Sequence, residues 1–144
     1  MKKTGNEILI TLDEGAKMPT RANKGDAGWD LYCREDTEIP AGGSAVFDTG
    51  VHVALPEGTF GKLESKSGLN VKYDVVSLGG VIDSGYRGSI QVKLYNMGKE
   101  PYRFLKGEKV VQMVVLPYVT AGLKLTDTLD ETERGDNGFG SSGR

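Results

Sequence analysis

The residues best placed to do chemistry lie at positions 80–88, which read Gly80-Val81-Ile82-Asp83-Ser84-Gly85-Tyr86-Arg87-Gly88. Two β-branched residues that run into an acid, a small polar residue and a glycine predict a strand ending in a tight hairpin turn. Asp83 then stands at a rim. The next stretch alternates, with Ile90, Val92 and Leu94 apolar and Gln91 and Lys93 polar, the period of two of a half-buried strand. A carboxylate held between two strands keeps its reach and direction to a water, which is what a general base needs. Asp-Ser-Gly is also ordinary turn composition, so the catalytic reading depends on the other stretches.

Two of those stretches carry phosphate chemistry. Ser65-Lys66-Ser67-Gly68 offers hydroxyls, an ammonium and amide donors in a glycine-containing bend. The spacing is not that of a P-loop, and a plain polar loop has the same composition. At the end of the chain, Phe139 stands among glycines and serines and is bracketed by Arg134 and Arg144. That is the composition of a clamp whose amides and arginines hold phosphates while the ring stacks on a planar base. A frayed terminus would look similar.

Asp30 and Gln112 are polar residues inside apolar strands. For Asp30 the simplest reading is a carboxylate bonding to backbone amides where a strand begins. Gln112 sits within Val110-Val111-Gln112-Met113-Val114-Val115-Leu116, a run expected to be buried on both faces. An unpartnered buried amide is costly, so Gln112 either bonds to neighbouring backbone or reaches a polar cavity. Cys33 and His52 are the chain's single cysteine and histidine. They exclude a disulfide framework and make a His/Cys metal cluster implausible. Cys33 reads as a small core hydrophobe and His52 as a structural or exposed strand residue.

The elements that must position these groups are short strands. The 144 residues suit one domain, and the 21 glycines dispersed between apolar runs point to many tight turns. Strands are expected at 7–12, within 26–33, within 45–55, at 59–63, and in the stretches around residues 90–94 and 110–116. Turns are expected at Pro40-Ala41-Gly42-Gly43 and Pro56-Glu57-Gly58. In the second strand Leu31 and Cys33 face one way, Asp30 and Tyr32 the other. The chain is read as a single all-β unit, a barrel over about 1–126 and a glycine-rich arm over about 127–144. Net charge is −2 with scattered basic residues, which argues against a nucleic acid polymer as ligand. No apolar block suggests a signal peptide or membrane span, so a cytosolic protein is expected.

Taken in order, five stretches resemble the motifs of the homotrimeric dUTP pyrophosphatase (dUTPase) family. They are Ala27-Gly28-Trp29-Asp30-Leu31, Ser65-Lys66-Ser67-Gly68-Leu69, Gly80-Val81-Ile82-Asp83 with Tyr86, Gly107-Glu108-Lys109-Val110-Val111-Gln112, and the tail from Arg134 to Gly143. The second departs from the family's usual Pro-Arg-Ser-Gly-Leu by carrying Ser65 and Lys66. In the third, Gly85 stands where many members have aspartate.

The resemblance implies a distorted jelly-roll β-barrel that trimerises, with each site assembled from three chains. It implies hydrolysis of dUTP to dUMP and pyrophosphate by water attack on the α-phosphorus, with Asp83 as base. This would limit uracil incorporation into DNA and supply dUMP for dTMP synthesis. Backbone at Ser77, Gly79 and Gly80, continuing into Val81 and Ile82, would hold the uracil edge, and Tyr86 would pack under the deoxyribose. Lys66, Ser67 and Gly68 would hold phosphates, with Arg134, Ser141 and Ser142 on the distal ones and Phe139, next to Gly140, stacked on uracil. Mg²⁺ would be carried by the triphosphate, with Asp30 and Gln112 acting through water, which suits a cation that keeps much of its hydration. Two other readings are a dCTP deaminase, alone or bifunctional, and a dUTPase-like regulatory protein acting on a protein partner. The intact tail argues against the first and the presence of Asp83 against loss of catalysis in the second.

Overall fold

The computed structural model describes residues 6–143. Met1 to Gly5 and Arg144, the outer bracket of the expected clamp, lie outside the described residues. The described chain forms eleven strands and one short helix, with every strand pairing antiparallel. One sheet has the order β2 (Gly28–Tyr32), β11 (Lys109–Pro117), β6 (Thr59–Glu64), β8 (Val81–Ile82). A second has the order β4 (Ser44–Asp48), β9 (Gln91–Asn96), β7 (Val75–Ser77). Two ribbons complete the set, β1 (Leu9–Leu12) with β5 (Val51–Ala54) and β3 (Thr37–Ile39) with β10 (Tyr102–Phe104).

Alternation produces the core. Ile90, Val92 and Leu94 are buried together with Val51, Val53 and Leu55 and with Leu31, Phe47, Phe104 and Val111, in one cluster. Phe104 meets Phe47 edge-on at 5.2 Å between ring centroids, a favoured aromatic geometry. Cys33 is buried as expected, and its Sγ donates to Leu105 O at 2.9 Å. Burial raises the thiol above its usual range.

Three expectations change on folding. The stretch 45–55 is two strands in different sheets, broken at Gly50, whose φ of 67° suits glycine and where a Cβ would meet Ala16 and Arg34 at 2.9 Å. The segments before and after Asp83 do not pair as a hairpin. β8 pairs with β6, whereas β9 pairs with β4 and β7, so the turn carries the chain from one sheet to the other. The second strand forms as expected, and both its faces are covered, with Asp30, Leu31, Tyr32 and Cys33 all buried. β11 is buried only at Val110, Val111 and Met113, and Leu116 and Pro117 emerge into solvent.

The bend expected after Lys66 is a helix, α1 (Ser67–Tyr73). It is too short to show a period in sequence and buries no residue fully, though Leu69 leans on the core. Asp74 closes it in the left-handed region at φ 56°, its N–H donating to Asn70 O at 3.1 Å. Beyond β11, Tyr118 packs on Phe60 and residues 119–143 form no strand. Among the described residues no helix is long and apolar enough to cross a membrane.

Candidate active site

Antiparallel pairing of β11 with β2 and β6 brings the first, second and fourth motifs to one place. Gln112 stands opposite Asp30 on one side and Glu64 on the other. Its Nε2 donates to Ser65 O at 3.1 Å. The amide is thus satisfied by neighbouring backbone, the first of the two outcomes open from sequence. Gly28 makes this fit: a Cβ there would lie 2.2 Å from Gln112 Oε1.

Asp30 is 4% exposed. Its carboxylate is not spent on backbone amides: it takes Lys66 Nζ at 2.5 Å and Lys109 Nζ at 3.1 Å. The carboxylate holds the Lys109 ammonium's pKa above its usual value. Lys109 belongs to a motif the sequence singled out, but its pairing with Asp30 depends on a register shift between Lys109 and Val111 that no spacing rule reveals. Two ammonium groups on one carboxylate leave this corner with a net positive charge suited to phosphate. Ser67 and Gly68 open α1 directly beyond Lys66.

The third motif runs antiparallel to β6. Gly61 faces Ile82 and Lys62 faces Val81, while Leu63 N–H donates to Gly80 O at 3.0 Å. Further up, Ser77 N–H donates to Ser65 Oγ at 2.8 Å, and the Ser77 hydroxyl donates to Gly79 O. Gly61 permits the close approach, since a Cβ there would meet Met113 Sδ at 2.8 Å and Ile82 Cβ at 3.2 Å. Ile82 is buried, so its side chain serves the core and only its backbone borders the site, whereas Val81 is exposed. A cavity of about 270 Å³ opens between Leu78, Gly79 and Gly80 and the outer face of β9, at Gln91, Lys93 and Tyr95. Sequence alternation put Gln91 and Lys93 on that face without showing what they line.

Asp83 is exposed at the end of β8, on the rim of a 460 Å³ cavity shared with Phe60, Val81, Ser84 and Tyr118. Tyr86 N–H donates to Asp83 O at 3.0 Å and closes the turn. The Tyr86 ring lies over Gly88, where a Cβ would stand 2.3 Å from its hydroxyl, and that hydroxyl donates to Ser89 O at 3.0 Å.

Asp83 and Lys66 occupy opposite ends of β6. Asp83 follows the residue facing Gly61, and Lys66 lies beyond Glu64. At about 3.3 Å per residue the strand separates them by on the order of 15 Å. The tail is a third, separate piece. Arg134, Gly138, Phe139, Gly140, Ser141 and Ser142 curl around a 450 Å³ hollow, held by successive turns and by Arg134 Nε donating to Asn137 O at 3.0 Å. Phe139 is fully exposed. The described chain therefore groups the expected residues into three clusters and does not bring the clusters together.

The donor set bears on magnesium. Among the described residues no three His, Cys, Asp or Glu side chains converge as a cation site, and the carboxylate in the phosphate corner is Asp30, flanked by two lysines. Such a donor set is compatible with a cation that keeps several of its own waters and arrives on a polyphosphate.

The fold agrees with that of the chain's relatives. The dUTPase family model matches residues 14–143. The chain is 45% identical over 139 residues to the deoxyuridine 5'-triphosphate nucleotidohydrolase of Cutibacterium acnes, covering 94% of this chain and 91% of that protein. It is 40% identical over 136 residues to the rat protein of that name, spanning 94% of itself and 66% of the longer relative. Among solved structures, a mutant dUTPase of Staphylococcus bacteriophage 80alpha with dUpNHpp superposes with a TM-score of 0.90 at 32% identity, covering 96% of this chain and 99% of that one. A mutant dUTPase from phage phi11 of S. aureus, described as coordinating a structural Mg(II) ion, gives 0.79 at 30% identity, with 85% and 98% covered. By the family model and by its relatives in sequence and in three dimensions, the chain belongs to the dUTPase family.

Proposed function

We propose that this chain hydrolyses dUTP to dUMP and pyrophosphate at a site completed by other copies of itself. The observation that carries the reading is the continuous segment 77–86. It lines a small cavity with the backbone of Leu78, Gly79 and Gly80, passes along β6, and ends on the exposed carboxylate of Asp83 beside Tyr86. The cavity volume of about 270 Å³ is near the lower end for small-molecule pockets and suits a base with its sugar. The backbone N–H groups of Gly79 and Gly80 read the uracil edge, with Ser77 anchoring the segment on Ser65 and Val81 and Ile82 continuing the wall. Tyr86 packs against the deoxyribose, where a 2′-hydroxyl would collide.

Asp83 accepts a proton from water as the water oxygen attacks the α-phosphorus, and the bond to the bridging oxygen breaks to release pyrophosphate. Lys66, Ser67 and Gly68 of a neighbouring copy hold the phosphates in line. Arg134, Ser141 and Ser142 of a tail close over the distal ones, with Phe139 and Gly140 against the base. When bound on the triphosphate, Mg²⁺ would neutralise part of its charge, and Asp30 and Gln112 would hold it through water.

Two features support a composite trimer. Within one chain Asp83 and Lys66 lie at opposite ends of a strand. Val119, Leu123, Leu125 and Leu129 stand almost wholly exposed after β11, and burying each on another copy is worth about 1.5–3 kcal/mol. An apolar cavity of about 510 Å³ lined by Ile8, Ile10, Met18, Trp29, Met113 and Val115 offers such a surface.

The test is pyrophosphate release from dUTP compared with dTTP, dCTP and UTP. Only dUTP is expected to turn over at an appreciable rate. Asp83→Asn should still bind dUTP while kcat falls about 10²- to 10⁴-fold, the usual worth of a general base. Near-normal turnover in that variant removes Asp83 from the role. Ammonia release from dCTP would replace this reading with a deaminase.

A further inference from the structure

His52 is the chain's one histidine, and from sequence it had no partner. The fold gives it two. Nδ1 lies 2.6 Å from Arg87 O and Nε2 lies 3.0 Å from Asp13 Oδ1. A carbonyl and a carboxylate only accept hydrogen bonds, whereas a neutral imidazole carries one donor and one lone pair. Only the doubly protonated ring satisfies both contacts.

These contacts bear on the turn that carries Asp83. Arg87 ends the turn, and its guanidinium folds back to donate to Ser84 O at 2.7 Å and to Val53 O at 3.4 Å. β5 therefore grips the turn at two adjacent residues, through the His52 ring and the Val53 carbonyl. We propose that the imidazolium of His52 is a positioning residue for the 83–87 turn, and that its deprotonation loosens the turn and weakens binding of the deoxyuridine moiety. The inference rests on the dUTP reading above.

The charged groups that act on the ring are Asp13 from the loop after β1 and Asp48 from the end of β4, while Arg87 meets it through its backbone carbonyl. Arg34 is 3.3 Å from Asp48 and partly offsets it. The Arg87 carbonyl first, then the Asp13 carboxylate, raise the ring's pKa above its ordinary 6.5. The sign follows. The brace is complete below that value and is lost as pH rises through the higher value of the folded protein.

The experiment uses the full chain. Steady-state rates on dUTP are measured from pH 5.5 to 9, and ring and amide resonances are followed by NMR over the same range. KM should rise about fivefold through the His52 ionisation with kcat little changed, the pattern of binding lost equally from ground state and transition state. His52→Gln, which keeps an amide donor but no charge, should show a raised KM that no longer changes across this range. Asp13→Asn should move the KM step to lower pH while matching the parent below it. In the parent, the Arg87 and Gly88 amide shifts should titrate together with the His52 ring. A KM step that persists in His52→Gln, or turn amides that do not follow the ring, overturns the proposal. A chain that turns over no dUTP while its turn amides still follow the ring overturns the dUTP reading and upholds the positioning role.

Discussion

At the scale of single residues, Asp30 holds the phosphate corner together. Its buried carboxylate keeps two ammonium groups within 2.5 and 3.1 Å, and each lysine side chain remains partly in water. Asp30→Asn removes the shared counter-ion, and the lysines can then rehydrate only by moving apart. The expected loss of stability is about 2 kcal/mol, below the 3–5 of a fully buried pair because the lysines reach solvent. Denaturant unfolding measures it. Adding Lys66→Met to Asp30→Asn should recover part of the loss, since one of the two repelling charges goes, and strict additivity in that cycle would show that the pair is not coupled. Gly28 and Gly88 act through absence: a Cβ at either position would collide with Gln112 or Tyr86.

At the scale of elements, β6 separates chemistry as well as supporting it. One end presents Asp83 and the other leads to Lys66, with the third motif laid alongside. The tail is independent of this frame. Its turns are local, and among residues 119–143 none is buried. Removing 134–144 should leave the melting temperature and the oligomeric mass unchanged while kcat/KM for dUTP falls at least about 100-fold, the scale of lost positioning. Parent-like kcat/KM in the truncated chain would exclude the tail from the site.

At the scale of the whole molecule, the three clusters share no centre within the described chain, and the proposed site draws on more than one copy. Sedimentation should give three times the chain mass. A sharper test mixes two inactive proteins, Asp83→Asn and the chain lacking 134–144, after reversible dissociation. If Asp83 and the tail of one site come from different chains, some sites in mixed trimers receive both intact parts and activity reappears. Mixtures as inactive as their components would mean that each chain completes its own site.

Much of this was legible in the residues. Period-two alternation located β9 and the buried faces around Val51, Val53 and Leu55, and glycine-bearing turns separated the strands, because those signals are local. The five motifs in order pointed to the family that the relatives show. What the residues did not show is who meets whom. The partners of His52, Asp30 and Lys109, the passage of the 83–87 turn between two sheets, and the helix at Ser67–Tyr73 depend on long-range pairing and on one register shift.

The amino-acid order by itself therefore determined an all-β unit, the family and the residue types available for phosphate, base and proton transfer. Only the tertiary structure decided that Asp83 and Lys66 stand at opposite ends of one strand and that a lone histidine meets Arg87 at the end of the turn that carries Asp83. The physical reason is that backbone preference and alternation act over a few residues, whereas ion pairs, sheet register and closed cavities are set by segments distant in the chain.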